Sequence, residues 1–261
     1  MAEIFDLTHA FRQYFEIVPA FSEALKDEAY HLRHKVYCED LKFEPLRPEQ
    51  REIDEYDSYS QAFLLRNVQT KEYIGCARIV IPPPENPRQP LPFEIVCAHT
   101  LDRSIIDPAK LPRQRIAEVS RLAVISSYRR RKGEAGRPIV ISDDDFKTSQ
   151  SRRFPYIPIS LYLATFAMAR LNKIDIVFVL TEERLAHHFA KLGFDQKFIG
   201  GPVDHHGLRV PSMMNVGKTI SNMRANLRPL YLEIAINIEK HLAKQTTTRP
   251  YSRVIEELHD N

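Results

Sequence analysis

The stretch RIAEVSRLAVI, residues 115–125, sets charged and polar residues into an apolar alternation of period two, the pattern of a strand. Ile116, Leu122 and Val124 fall on one face with Glu118 and Ser120, while Arg121 alternates to the opposite side unless a bulge re-aims it. A second strand-like run upstream, EYIGCARIVI (residues 72–81), places Arg78 among Ile74, Cys76 and Val80 on a face that should be buried. An isolated ion costs several kcal/mol to bury, so both runs demand partners from elsewhere in the chain.

Those partners lie nearer the N-terminus. Phe21, Leu25, Ala29, Leu32 and Val36 recur at steps of three and four, which predicts an amphipathic helix with Ser22 as its N-cap. Arg33 and Tyr37, one turn apart, border its buried stripe. Asp54 and Asp57, three residues apart in the following segment, can present two carboxylates to guanidinium forks. Arg33, Arg78 and Arg121 are then opposed by Asp54, Asp57 and Glu118. On spacing alone, this set is equally a structural network bracing a sheet.

The remaining chain reads as a mixed sheet with packed helices. QAFLLRNV (61–68) and EYIGCARIVI, separated by the turn-prone QTKE, form a hairpin. PPPENPRQPLP opens a long connection running to about Gln114, because proline fixes φ and lacks an amide hydrogen. A polar, proline-bracketed tract at about 137–158 reads as an insertion. ISLYLATFAMARLN (159–172) is apolar on most of its circumference and suits an interior helix, and DIVFVL (175–180) suits a strand covered on both faces. TEERLAHHFAKLG (181–193) is a helix with Thr181 as cap and Gly193 as terminator. RPLYLEIAINIEKHLAKQ (228–245) predicts one more amphipathic helix. With no linker dividing the chain, the expectation is one α/β (α+β) domain, 1–261, with a C-terminal helical extension at about 219–261.

Bulk properties narrow the class. The chain is 43% hydrophobic and 27% charged, and no apolar run approaches the roughly 18 to 20 residues that span a bilayer. MAEIFDLTHAFRQYF has no cationic region ahead of an apolar stretch, so no secretory signal is expected. Cys38, Cys76 and Cys97 follow no metal or redox spacing and fit a reducing cytoplasm, the expected location. A net charge of +3 is too small to argue for nucleic acid, and none is expected as a partner, while YRRRKGEAGR concentrates cations suited to an acidic partner or a phosphate. His31, His34 and the DHHG run at 204–207 lack a zinc ligand set, so no metal is expected.

Two resemblances give these residues roles. In VISSYRRRKGEAG (124–136), Arg130-x-x-Gly133-x-Ala135 directly after a strand resembles the pyrophosphate loop of the GCN5-related acyltransferase (GNAT) fold. The resemblance implies a GNAT-like mixed central sheet flanked by helices, with Leu122, Val124, Arg129, Arg130, Arg131, Gly133 and Ala135 binding a pantetheine donor. HHFAKLGF (187–194) is similar to the closing helix of that fold, with Phe189 where a tyrosine is usual.

More narrowly, Arg33, Tyr37, Phe43, Asp54, Asp57, Arg78, Phe93 and Glu118-Val119-Ser120-Arg121 resemble, in order and spacing, the set that marks acyl-homoserine-lactone autoinducer synthases. The aligned span is about 33–201. Phe43 stands where that family has tryptophan, and the insertion and extra C-terminal helix are similar to the PEP-CTERM/exosortase system-associated acyltransferases and related N-acyl amino acid synthases.

The resemblance implies an N-acyltransferase moving a fatty acyl group from acyl carrier protein or CoA to an amino acid or related amine. A lactone autoinducer synthase, an acetyl-CoA N-acetyltransferase and a non-catalytic lipid-binding module are the alternatives. Glu118 is the expected base, its pKa raised by burial unless its arginine partners dominate. Ser120 is expected to hold a water or substrate, and backbone amides after it to polarise the thioester carbonyl. Tyr37, Phe43, Phe93, Phe166 and Met168 are the expected substrate-lining residues. Acyl-phosphopantetheine is a co-substrate rather than a tightly bound cofactor, and the Arg129–Arg131 ridge is where an acidic acyl carrier protein would dock.

Overall fold

The computed structural model describes residues 7–129 and 156–248. The chain begins with α1 (Leu7–Tyr14), β1 (Phe15–Pro19) and α2 (Glu23–Arg33), followed by the hairpin β2 (Ser60–Asn67) and β3 (Tyr73–Val80). The connection 81–115 contains one short α-helix, α3 (Pro92–Val96), and two 3-10 turns, Pro108–Lys110 and Arg113–Arg115, and leads into β4 (Ile116–Val124) and α4 (Ser126–Arg129). Then come α5 (Tyr156–Leu171), β5 (Ile176–Thr181), α6 (Glu183–Ala190), β6 (Lys197–Phe198), β7 (Val203–Asp204), β8 (Leu208–Asn215), α7 (Val216–Asn222) and α8 (Arg228–Thr248).

The sheet order is β1-β2-β3-β4-β5-β8-β6, with β7 paired to β8. Every pairing is antiparallel except β4 with β5. This is the mixed central sheet flanked by helices that the sequence pattern predicts.

Each face of the sheet is closed by what the sequence supplies. On β3, Gly75 turns toward α5, where an added Cβ would stand 2.9 Å from Leu161 Cδ1, so the absence of a side chain lets α5 lie close. Leu161, Leu163, Ala164 and Phe166 of α5 are fully buried. The predicted terminal helix is α8, and it is part of the core: Leu230, Tyr231, Ile234 and Ile238 are buried in the same apolar cluster as α5 and β1. A smaller cluster joins Val80, Leu91, Phe93, Ile116 and Phe178 beneath the proline-rich connection.

Several boundaries differ from the sequence reading. Ser22 does cap α2, accepting from Leu25 N–H at 3.3 Å. The cap of α6 is Glu182, because Thr181 is held as the last residue of β5 opposite Val210. Gly193, at φ +94°, follows α6 as predicted. Residues 156–158, assigned to the insertion, open α5; the rest of that tract lies outside the described residues. Pro92 starts a helix rather than a coil, since the first helical position needs no amide hydrogen.

Candidate active site

The parallel pair β4 and β5 keeps register only from Ile116↔Ile176 to Val119↔Val179. β4 then continues to Val124 and β5 to Thr181, so the strands part. Beyond Val119 the side of β4 that faced β5 has no strand partner among the described residues. A cavity of about 450 Å³ occupies this parting. Glu118, Ser120 and Leu122 line it from β4, and Tyr162 and Phe189 from α5 and α6. Tyr37, Phe43 and the β7–β8 hairpin close its other side.

The other edge of β4 carries a bulge. Cys76 pairs with Ala123 and Arg78 with Ser120, so Arg121 and Leu122 together oppose Ala77. Arg121 takes φ +53°, a left-handed conformation unusual for a side chain of its size. The extra residue re-aims Arg121, whose Nη2 reaches Glu52 at 3.1 Å and Asp54 at 2.9 Å.

Arg33 donates from Nε to Glu52 and in a fork to Asp57 at 2.6 and 3.0 Å. Arg78 forks onto Asp54 at 2.6 and 2.7 Å, donates to Asp57 at 2.7 Å, and reaches Ser120 Oγ at 3.0 Å. Arg33 and Arg78 are each only 1% exposed. Three guanidinium groups thus meet three carboxylates. The Arg33 guanidinium holds the Asp57 carboxyl well below the usual range against its burial, and Glu52 is lowered by Arg33 and Arg121 in the same way.

The third carboxylate is therefore Glu52, where the sequence reading had Glu118. Glu52 lies two residues before Asp54 in EQREID, where no periodic context marks a glutamate. Glu118 makes no ion pair among the described residues; its carboxylate accepts the Phe93 N–H at 2.7 Å. Burial pushes it up to about 8, opposed by that hydrogen bond and by the charges of Arg78 and Arg121. Desolvation prevails over the two arginines, whose donors go to Glu52, Asp54, Asp57 and Ser120.

α2 hands Tyr37 to the cavity through a π-helical turn, His34–Asp40, which ends the regular helical pattern after Arg33. The Tyr37 hydroxyl donates to the Leu122 carbonyl at 3.0 Å, tying this turn to the bulge. His34 is structural: its Nε2 accepts the Arg47 N–H at 3.1 Å. Phe43 stacks on His206 at 5.0 Å, and His206 Nε2 lies 3.3 Å from Glu44. His205 beside it is pushed down to about 4 by burial, then by the charges of His206 and Arg209. Among the described residues no His, Cys, Asp and Glu cluster has the makings of a metal site.

Other expected lining residues lie elsewhere. Phe93 is buried in the smaller core, stacked on Phe178 at 4.5 Å, and contributes its backbone rather than its ring. Phe166 and Met168 are fully buried in the main core, as is Val124. The α5 side chain that does reach the cavity is Tyr162, stacked on Phe189 at 3.8 Å. Its hydroxyl accepts from Gln196 at 2.6 Å and donates to Met214 Sδ at 3.2 Å. Arg130, Arg131, Gly133, Ala135 and the side chain of Arg129 lie outside the described residues.

Residues 32–137 match the family described as acetyltransferase (GNAT) domain. No curated protein sequence matches the chain. Among solved structures it is similar to the acyl-homoserine-lactone synthase LasI, at 18% identity and TM-score 0.53 over 77% of this chain and 89% of that one. BjaI, a CoA-dependent acyl-homoserine lactone synthase, aligns at 17% identity and TM-score 0.56 over 84% of this chain and 87% of that one. FeeM, an N-acyl amino acid synthase from uncultured soil microbes, aligns at 13% identity and TM-score 0.50 over 80% of this chain and 94% of that one.

The fold and the domain match define an enzyme of the acyltransferase class with GNAT-like architecture. Within that class, the solved neighbours share its fold while differing in the product they make.

Proposed function

We propose that the protein transfers a fatty acyl group from a phosphopantetheine thioester to the amino group of an amino acid or related amine. The observation that carries this reading is Glu118, a carboxyl 4% exposed that lines the cavity at the parted strands, where burial pushes it up to about 8. That value suits a base that must take a proton from an ammonium or attacking amine near neutral pH.

The amine nitrogen attacks the thioester carbonyl, the carbon–sulfur bond breaks, and the thiolate departs. The proton lost by the amine passes to Glu118 directly or through one water, and from there to the thiolate or solvent. Backbone amides on the unpaired side of β4, after Ser120, supply donors to the carbonyl oxygen. Phe189 offers no hydroxyl for the leaving sulfur, and the Tyr162 hydroxyl is engaged by Gln196 and Met214. A thiol of pKa near roughly 8.5 leaves without such help.

Tyr162, Val179, Leu185 and Phe189 form the apolar side of the cavity and suit the acyl chain, in place of the Phe166 and Met168 lining expected from sequence. Arg33, Asp54, Asp57, Arg78 and Arg121 act as positioning residues that fix β4, the Tyr37 turn and Phe43 around the substrates. Docking of an acyl carrier protein at Arg129–Arg131, a CoA donor in its place and the exosortase-associated branch rest on the sequence resemblance, and a cytoplasmic location rests on the spacing of Cys38, Cys76 and Cys97. No helix among the described residues is long and apolar enough to cross a membrane.

A lactone autoinducer synthase is the second reading, supported by the fold likeness to LasI and BjaI. Mass spectrometry of lipid extracts from overproducing cells, against cells carrying Glu118→Gln, tests both. N-acyl amino acids absent from the variant are expected; acyl lactones would favour the second reading, and identical extracts would defeat both.

A further inference from the structure

Arg209 stands on β8, opposite Val203 in the β7–β8 hairpin, and its side chain lines the cavity. Its neighbours Arg121 and Glu44 on that side both have partners within the protein, lying 3.9 Å from each other. Arg121 is held by Glu52 and Asp54, and Glu44 lies against His206. Arg209 has no ion pair among the described residues, and its Nε is buried without a hydrogen-bond partner. A guanidinium cannot release its proton, and a buried donor without an acceptor is costly. An anion arriving with the ligand would give such a group its acceptor.

The surroundings favour a small planar anion. His205, next to Arg209 in the hairpin, is half-buried and neutral, so it adds no competing cation. Tyr37, Phe43 and His206 stack in series, at 6.5 and 5.0 Å between ring centres, and make a flat wall on the same side of the cavity. Glu118 lines the same cavity. A fork of parallel N–H donors matches a carboxylate in two hydrogen bonds.

We propose that Arg209 binds the carboxylate of the acceptor, making the acceptor class a carboxylate-bearing primary amine rather than a plain amine. This deepens the acyl-transfer reading and rests on it for the role of the bound group. The other anion that acyl transfer brings is the donor's phosphate, and the experiment separates the two.

Calorimetric titration of the full-length protein with N-octanoyl-phenylalanine and with N-octanoyl-phenethylamine, which differ by the carboxylate alone, is the test. The expected result is a preference of about tenfold or more for the acid, the usual scale of a charge-assisted pair. In Arg209→Gln the preference should vanish while the affinity for the phenethylamine amide stays within about twofold. Equal affinities in the wild type overturn the proposal, and this comparison holds even if the variant does not fold. A variant that weakens both amides equally also overturns it. So does one that raises the KM for octanoyl-CoA with phenethylamine as acceptor, which places the phosphate at Arg209. An Arg209-dependent preference in a protein that transfers no acyl group to any amine sustains the carboxylate site and refutes the acyl-transfer reading instead.

Discussion

Arg78 and Ser120 face each other across β3 and β4, and Arg78 Nε donates to Ser120 Oγ at 3.0 Å. The serine hydroxyl is therefore an acceptor for a guanidinium already forked onto Asp54, and among the described residues no imidazole hydrogen-bonds to it.

Ser120→Ala should keep most activity, with a loss of stability of about 1 kcal/mol from one hydrogen bond. Intact-protein mass spectrometry during turnover should show no acyl adduct. A loss of activity of about 10⁴-fold with a trapped adduct in the wild type would instead mark Ser120 as a nucleophile.

Glu118→Gln should lower kcat by about 10² to 10⁴-fold, the scale of general base catalysis. Wild-type kcat/KM should rise with pH through about 8 as the carboxyl ionises, and the variant should lose that limb. A pH–rate profile of both proteins checks this.

The same group links stability to pH. Its folded pKa of about 8 lies above the ordinary 4.5, so the folded state retains the proton that the unfolded chain releases. The contribution is complete below about pH 4.5 and is lost as pH rises through 8, by at most about 1.4 kcal/mol per pH unit. Glu118→Gln carries no such loss, so its melting temperature should exceed that of wild type above pH 8 and approach it near pH 5.

The buried ion network should fail by single steps. Glu52→Gln leaves Arg33 and Arg121 short of a carboxylate and should cost about 3–5 kcal/mol, measured by urea denaturation. Asp57 has its folded pKa below the ordinary 3.8, so its contribution is present above that value and is lost as pH falls toward the folded pKa. Asp57→Asn should remove that acid-sensitive component while lowering stability at neutral pH.

Gly75→Ala tests the close packing of α5 on β3. The added methyl would stand 2.9 Å from Leu161 and 3.1 Å from the Ala123 carbonyl, so a loss of about 1–3 kcal/mol is expected. An unchanged melting temperature would show that α5 can shift away.

The strands and helices nearest the site were legible because their charges interrupt an otherwise apolar alternation. Arg78 and Glu118 are conspicuous for that reason, and their strands pair as the pattern requires. Glu52 was not legible, because it reaches the network from a coil segment where position carries no periodic signal. The direction of Arg121 depended on one extra residue in β4, a property of strand register that a single sequence leaves open. Tyr162 was hidden among its neighbours: α5 is apolar on nearly every side, so nothing distinguishes the residue that reaches the cavity from Phe166 one turn on. β6 and β7, two residues each, are too short to show any period.

The wide helical turn at His34–Asp40 makes chain length itself a functional variable. A π turn accommodates more residues than an α turn between the same end points. Excising one residue there would let the segment rewind, swinging Tyr37 by about 100° and carrying its hydroxyl off the Leu122 carbonyl. A relative one residue shorter at this place would need a different wall for its acceptor, even with every charged side chain intact.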